Sequence, residues 1–299
     1  MGYHEAVLLK ESIAGLRIDP NGTYVDVTFG GGGHSKSILE KLDKGTLFAF
    51  DQDTDAQKNS IDDNRFVLIN QNFRFMQKFL RLEGVLKVDG ILADLGVSSY
   101  QFDTAERGFS IREEGELDMR MNTTQELSAK QVVNEYELDD LCRIFREYGE
   151  LKNAYSLAKS ILSARENGEI LTTEDLKEAV KKHVPPHKSN KILAQLFQAI
   201  RIEVNDELKA LKEMLLQSVD LLKEGGRLSV ISYHSLEDRL VKNLIKSGNF
   251  KGEIEKDFYG VPKVILKAIS KKPITASEEE LESNPRSRSA KLRVSEKLA

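Results

Sequence analysis

The chain has 299 residues, 40% of them hydrophobic and 31% charged, with a formal net charge of -4 at pH 7. That apolar share excludes a disordered chain and supports one large domain or two modest ones. The acidic balance gives no long-range attraction to nucleic acid, the single cysteine allows no internal disulfide, and no apolar run approaches the roughly 20 residues of a membrane span. The opening Met1-Gly2-Tyr3-His4-Glu5-Ala6 has neither a basic-then-apolar leader nor the hydroxyl of a myristoylation signal, so a cytoplasmic location is expected. Tyr24 to Phe29 is a short β-rich run that stops at the glycines Gly30 to Gly33, and Ser35 to Leu42 carries helical spacing through Ile38, Leu39 and Leu42. Three further apolar runs follow: Thr46 to Phe50 ending in Asp51, Phe66 to Ile69 ending near Asn72 and Phe73, and Val88 to Ala93 ending in Asp94. Short buried strands separated by helices imply parallel pairing with right-handed crossovers, hence an α/β, doubly wound sheet.

From about Gln125 to Val204 the strand pattern vanishes. Leu138, Leu141, Cys142, Phe145 and Tyr148 keep three- and four-residue spacing up to Gly149, which makes Cys142 a core residue. A helix opens at Thr172, with Asp175 completing a capping box, and runs toward Pro185-Pro186. Another starts near Asn205, lines up Leu208, Leu211, Leu215 and Leu222, and is expected to stop at Gly225-Gly226. Arg227 to Ser232 is again a buried strand. Val264 to Ile269 and Ser289 to Val294 are two more, antiparallel because too little chain separates them from their neighbours for crossovers. The expected organisation is a discontinuous sheet domain, 1–104 with 206–299, interrupted by a helical insertion, 105–205.

Ligands of an open parallel sheet bind beyond the carboxyl ends of its strands, where strand order reverses. Gly30 to Gly33 lets backbone approach a ligand without Cβ obstruction, and the helix after it offers free amides. Asp51 follows at about the 20-residue spacing of a carboxylate that accepts both hydroxyls of a ribose. Asn72 and Phe73 are placed to flank an adenine, and Asp94 faces the same crevice. A nucleoside is implied. A dinucleotide site needs G-x-G-x-x-G, yet the sixth position is Ser35 counted from Gly30 and Lys36 counted from Gly31. Asp26-Val27-Thr28-Phe29-Gly30-Gly31-Gly32 instead fits a methyltransferase loop, a strand acid followed by alternate glycines, except that Thr28 replaces the first glycine. S-adenosylmethionine is favoured over NAD.

Longer blocks then carry a resemblance. Tyr3-His4 with Val7-Leu8-Leu9, Asp26 to Ser35, Asp51-Gln52-Asp53, Asp94-Leu95-Gly96-Val97-Ser98-Ser99, Arg107-Gly108-Phe109-Ser110, Leu117-Asp118-Met119-Arg120-Met121, Tyr148-Gly149-Glu150, Phe197 to Ile202, Val204-Asn205, Ile231 to Arg239 and Asn284 to Ser289 occur in one order. Together they closely resemble the bacterial family of small-subunit ribosomal RNA cytosine-N4 methyltransferases, RsmH, formerly MraW, from Tyr3 to Val294. The resemblance implies a class I S-adenosylmethionine-dependent methyltransferase, with a Rossmann-like doubly wound sheet and an inserted all-helical subdomain for RNA recognition. It implies methyl transfer to the exocyclic N4 of a cytidine in the decoding region of 16S ribosomal RNA of the small subunit. It also implies that Gly32, Gly33, His34, Asp51, Phe73, Asp94 and Gln101 contact the cofactor. Two departures fall where RNA could be read. The family's Pro-Ala-Thr-Arg run before Phe-Gln-Ala is replaced here by Ile192 to Leu196, and the usual proline after Val-Ser-Ser is Tyr100.

The sulfonium is already a potent methyl donor, so the expected task is in-line alignment of N4 with the methyl carbon. The N4 lone pair is delocalised into the ring, and an acceptor for its hydrogens localises it; Asp94 is the expected catalytic residue. The base must leave its stack to reach such a pocket. His34 reads as a helix cap or as a cofactor ligand, and the resemblance favours the second. His234 reads as structural, with Ser235 and Asp238 as the capping box of the helix it precedes. Pro185 and Pro186 break the helix that would aim His183 and His187 at one metal, and no metal is expected. Asp118 and Arg120 form either an internal ion pair or an RNA-facing pair. RNA contact must use local patches, either Lys181, Lys182, Lys188 and Lys191 or the tail around Arg286, Arg288, Lys291 and Arg293. Two other readings stay open: a noncatalytic nucleotide-binding ribosome assembly factor, and a methyltransferase for another base or for protein. The oligomeric state is open as well.

Overall fold

Alternate residues of each central strand point to opposite sheet faces, and both faces here are apolar, as a parallel sheet covered by helices requires. The computed structural model describes residues 6–260, 262 and 264–299; the Tyr3-His4 part of the resemblance lies outside them. Helix α1 (Leu9–Leu16) precedes β1 (Thr23–Asp26), and α2 (Gly33–Leu39) leads to β2 (Thr46–Phe50). β3 (Phe66–Ile69) is followed by α3 (Met76–Leu82) and β4 (Val88–Asp94). Helices α4 (Ser99–Asp103), α5 (Ala129–Glu135), α6 (Leu138–Glu147), α7 (Ala154–Arg165), α8 (Thr173–Val180) and α9 (Ser189–Asn205) come next. The chain then returns through α10 (Glu207–Leu221), β5 (Leu222–Ser232), α11 (Ser235–Ser247), β6 (Leu266–Ala268), α12 (Glu278–Ser283) and β7 (Lys291–Lys297).

The strands form one seven-stranded sheet in the order β3-β2-β1-β4-β5-β7-β6. Neighbours from β3 to β5 pair in parallel, whereas β7 is antiparallel to both β5 and β6. The order reverses between β1 and β4, both of which pair side by side. Val25, Phe48, Phe50, Ile91 and Ala93 face one apolar layer with Met76 and Leu80 of α3, Met214 of α10 and Leu244 of α11. Their sequence neighbours Tyr24, Leu47, Ala49 and Leu92 face the other, with Ile13 and Leu16 of α1 and Ile38 of α2.

Two compact units result, Met1–Gly96 with Leu208–Ala299, and Val97–Glu207. The first boundary lies earlier than the expected 104 because Val97 packs on the helical core and Ser98 caps α4. The second lies beyond 205 because Asn205 binds helical-unit backbone, accepting from the Met121 amide at 2.7 Å and donating to the Met119 carbonyl at 2.8 Å. The helical unit has its own core, with Cys142 and Phe145 of α6, Leu157 of α7, Leu176 of α8 and Phe197 of α9. Asp118 and Arg120 are an internal pair, Nε to Oδ1 at 2.6 Å and Nη2 to Oδ2 at 3.1 Å. Among the described residues no helix is long and apolar enough to cross a membrane.

Several boundaries move for identifiable reasons. β1 ends at Asp26, short of Phe29, because the Asp26 carboxylate captures the Thr28 amide at 3.1 Å and turns the chain. Gly225-Gly226 does not stop α10, which ends at Leu221; the pair lies inside β5 at a register shift against β4, with Gly225 at φ 75°. β7 begins at Lys291 rather than Ser289 because Pro285–Ser289 forms a 3-10 turn. The Thr172–Asp175 capping box is present, but α8 ends at Val180, before the prolines.

Candidate active site

The reversal point of the sheet brings three acids to adjacent strand ends. Asp26, at the end of β1, is fully buried and accepts from Ser35 Oγ at 2.7 Å as well as from the Thr28 amide. Burial raises its carboxyl above the usual range. The Thr28 hydroxyl accepts from the Asp94 amide at 2.6 Å and lies 3.4 Å from Asp26 Oδ1. The one departure from the glycine pattern therefore ties the end of β1 to the end of β4, which a glycine has no oxygen to do.

The loop between Asp26 and α2 closes through a Gly32 amide bond to the Phe29 carbonyl at 2.7 Å. Gly32 is the N-cap of α2 at φ 76°, where a Cβ would also stand 3.0 Å from the Phe29 ring. Gly33 and His34 open the helix. His34 does not cap it, since α2 has no side-chain cap bond. Its buried ring instead places Nε2 3.1 Å from the Val7 carbonyl, so Nε2 carries the hydrogen and Nδ1 is turned toward Asp94 Oδ2 at 3.8 Å.

Asp51 follows β2. Its Oδ2 accepts from the Gly30 amide at 2.7 Å and its Oδ1 from the Asp53 amide at 2.9 Å. A carboxylate oxygen has two acceptor sites, so each keeps one for a vicinal diol. Burial, opposed by those two bonds, pushes Asp51 up to about 6. Beyond β3, the Asn72 side chain donates to Gln52 Oε1 at 2.7 Å, and Phe73 opens the 3-10 turn half-buried against the apolar layer.

Asp94 ends β4. The Tyr233 hydroxyl, one residue past β5, donates to Asp94 Oδ1 at 2.7 Å. Burial pushes Asp94 up to about 6, with His34 and Tyr233 acting to lower it. Gln101 belongs to the helical unit, where its carboxamide accepts from the Ser98 amide at 2.9 Å and closes the capping box of α4. His234 is the N-cap of α11, partnered by Glu237, whose Oε2 accepts the Tyr233 amide at 2.9 Å. The expected Ser235–Asp238 box does not form; Asp238 is held by Arg293 at 2.6 Å.

Gly32, Gly33, His34, Asp51, Phe73 and Asp94 thus share the carboxyl edge of one sheet. Sequence reasoning gave no role to Tyr233, because its contact joins positions 139 apart and no local spacing signals it.

A doubly wound sheet with its glycine loop, ribose-spaced acid and third acid on adjacent strand ends defines an α/β methyltransferase of the Rossmann-like class. The chain belongs to the MraW methylase family, whose model matches residues 1–298. It is 60% identical over 299 residues to Ribosomal RNA small subunit methyltransferase H of Flavobacterium johnsoniae, covering 100% of this chain and 99% of that protein. The protein of the same name from Amoebophilus asiaticus is 57% identical over 99% of this chain and 96% of its own. That from Bacteroides thetaiotaomicron is 53% identical over 99% and 97%. An rRNA methylase structure from Streptococcus thermophilus aligns over 100% of both chains at a TM-score of 0.42 and 11% identity, too distant to bear on the site.

Proposed function

We propose that the protein transfers the methyl group of S-adenosylmethionine to the exocyclic N4 of a cytidine in the decoding region of 16S ribosomal RNA, with the small subunit as substrate and the cytoplasm as its location. The observation that carries this reading is Asp94, held at a strand end by Thr28 and Tyr233 beside the glycine loop. The residues present fit the cofactor. Asp51 offers a free acceptor site on each oxygen for the ribose hydroxyls, and a Cβ at Gly31 would meet nothing within 4 Å. In this reading Gly32, Gly33 and His34 line the methionine portion and Phe73 the adenine, while Gln101 completes the set that the family pattern implies.

When bound, the cofactor supplies an electrophilic methyl on a sulfonium. Asp94, ionised above about pH 6, would accept a hydrogen bond from N4, localise its lone pair and take the proton released as the N–C bond forms and the methyl–sulfur bond breaks, its electron pair staying on sulfur as a neutral thioether. The helical unit serves RNA recognition, with phosphates neutralised by exposed cations. The exposed Arg288 of the tail suits that role better than Lys181, which already pairs with Glu178 at 2.9 Å.

The test is incubation with isotope-labelled S-adenosylmethionine and, separately, small subunits, large subunits and bulk protein. Label is expected on N4 of one 16S cytidine. Label on large subunits or on protein would overturn the substrate, and absence of transfer to any acceptor would favour the noncatalytic assembly factor. In single turnover at saturating cofactor, Asp94→Asn is expected to lose roughly tenfold or more in rate. A parental rate would reduce Asp94 to a cofactor contact.

A further inference from the structure

We propose that Tyr233 is a positioning residue for the transfer: its hydroxyl holds one carboxylate oxygen of Asp94 and leaves the other to accept from N4. The inference rests on the reading of Asp94 as the N4 acceptor and deepens it, giving the Tyr233 bond to Asp94 a part in the transfer. Asp94 is gripped at two points. Its amide is fixed by the Thr28 hydroxyl at 2.6 Å, and its Oδ1 receives the Tyr233 hydroxyl at 2.7 Å. Tyr233 is itself anchored, its amide bound to the buried Glu237 at 2.9 Å and its ring beside Gly96, where even a Cβ would come within 3.5 Å. The half-buried Tyr233 phenol finds its acceptor, among the described residues, in Asp94. Oδ2 has no comparably short partner among the described side chains, since His34 Nδ1 stands 3.8 Å away.

The groups that face Asp94 are His34 from α2, Tyr233 after β5, Asp26 from β1 and Glu237 from α11. Tyr233, and His34 when its ring carries both hydrogens, favour its ionised form; Asp26, Glu237 and burial oppose it. Deleting the hydroxyl removes one of the two favourable neighbours, so Asp94 then ionises at higher pH. It also frees the carboxylate to rotate.

The experiment is the pH dependence of single-turnover methyl transfer to small subunits at saturating S-adenosylmethionine, comparing the parent with Tyr233→Phe and Asp94→Asn. For Tyr233→Phe the acid limb is expected to move up by about one pH unit, with about a tenfold loss on that limb that shrinks as pH rises. Saturating S-adenosylmethionine keeps any change in cofactor affinity, read separately by calorimetry, out of the measured rate, since Asp94 is itself an expected cofactor contact. An acid limb that does not move overturns the proposal, whether or not the plateau rate falls. If Asp94→Asn keeps the parental rate, the underlying reading of Asp94 fails instead, so the two failures are distinct. Should Tyr233→Phe not fold, 3-fluorotyrosine placed at 233 keeps the bond and strengthens the donor. The acid limb is then expected to move down, and an unmoved limb refutes the proposal.

Discussion

A carboxylate kept in the interior without a full cationic partner costs the fold stability whenever it is ionised. Asp94 ionises near 6 in the folded protein against 3.8 for the ordinary group. Between those values the folded chain holds more protons than the unfolded one, so stability falls as pH rises through that window and the deficit persists at neutral pH. With its side chain 22% exposed, the deficit is about 1–3 kcal/mol after allowance for solvent screening. Asp94→Asn is uncharged throughout and can still accept from Tyr233. It is therefore expected to melt several degrees above the parent at pH 7 and to match it near pH 4. Melts of both proteins across that range decide the matter; equal stability at pH 7 would show that the charge is not paid for in folding energy. The residue proposed to carry the chemistry is thus one whose charge the fold would do better without.

At the scale of elements, the glycine loop is the part most exposed to a single change. Gly32 sits in the left-handed region, which costs a residue with a Cβ about 1–2 kcal/mol, and the added methyl would also press the Phe29 ring. Gly32→Ala is expected to lower the melting temperature by several degrees and cofactor affinity by about tenfold. Gly31→Ala, with open space around it, is expected to leave the melting temperature unchanged. Similar losses of stability from both would contradict the conformational argument, and differential scanning calorimetry reads them directly. The strands of this edge were legible because buried parallel strands are continuous apolar runs, and Thr46–Phe50 and Phe66–Ile69 stand where the sequence puts them. Gly225-Gly226 misled because a glycine pair marks a helix end and a strand bulge equally well. The cap of α11 misled because Ser235-x-x-Asp238 and His234-x-x-Glu237 are one residue out of step, and the choice falls to Arg293, which draws Asp238 away from 55 positions off. Gln101 lies two residues past the Asp94 to Ser99 block, and in the structure its carboxamide closes the capping box of α4.

For the whole molecule, the loss of strand pattern announced a helical segment, while its edges depended on packing that no periodicity records, such as Val97 on the helical core. That segment buries a core drawn from its own residues, from Phe109 to Val204. Residues 97–207 expressed alone are therefore expected to form a helical, cooperatively melting domain. Circular dichroism showing a disordered fragment would mean that its stability depends on the rest of the chain.

The discontinuity of the sheet also sets an order of assembly. β4 pairs with β1 on one side and with β5 on the other, and β5 is made only after the whole of 97–207 has left the peptidyl-transferase centre. Until then β4 is an open edge, and Asp94 at its end has no Tyr233 to hold it. Synthesis proceeds at roughly 5–20 residues per second, so that edge waits for several seconds, long enough for the helices to fold first. A nascent chain interrupted within the insertion would carry the glycine loop and Asp51 yet remain inert, with a sticky strand exposed to its neighbours on the polysome.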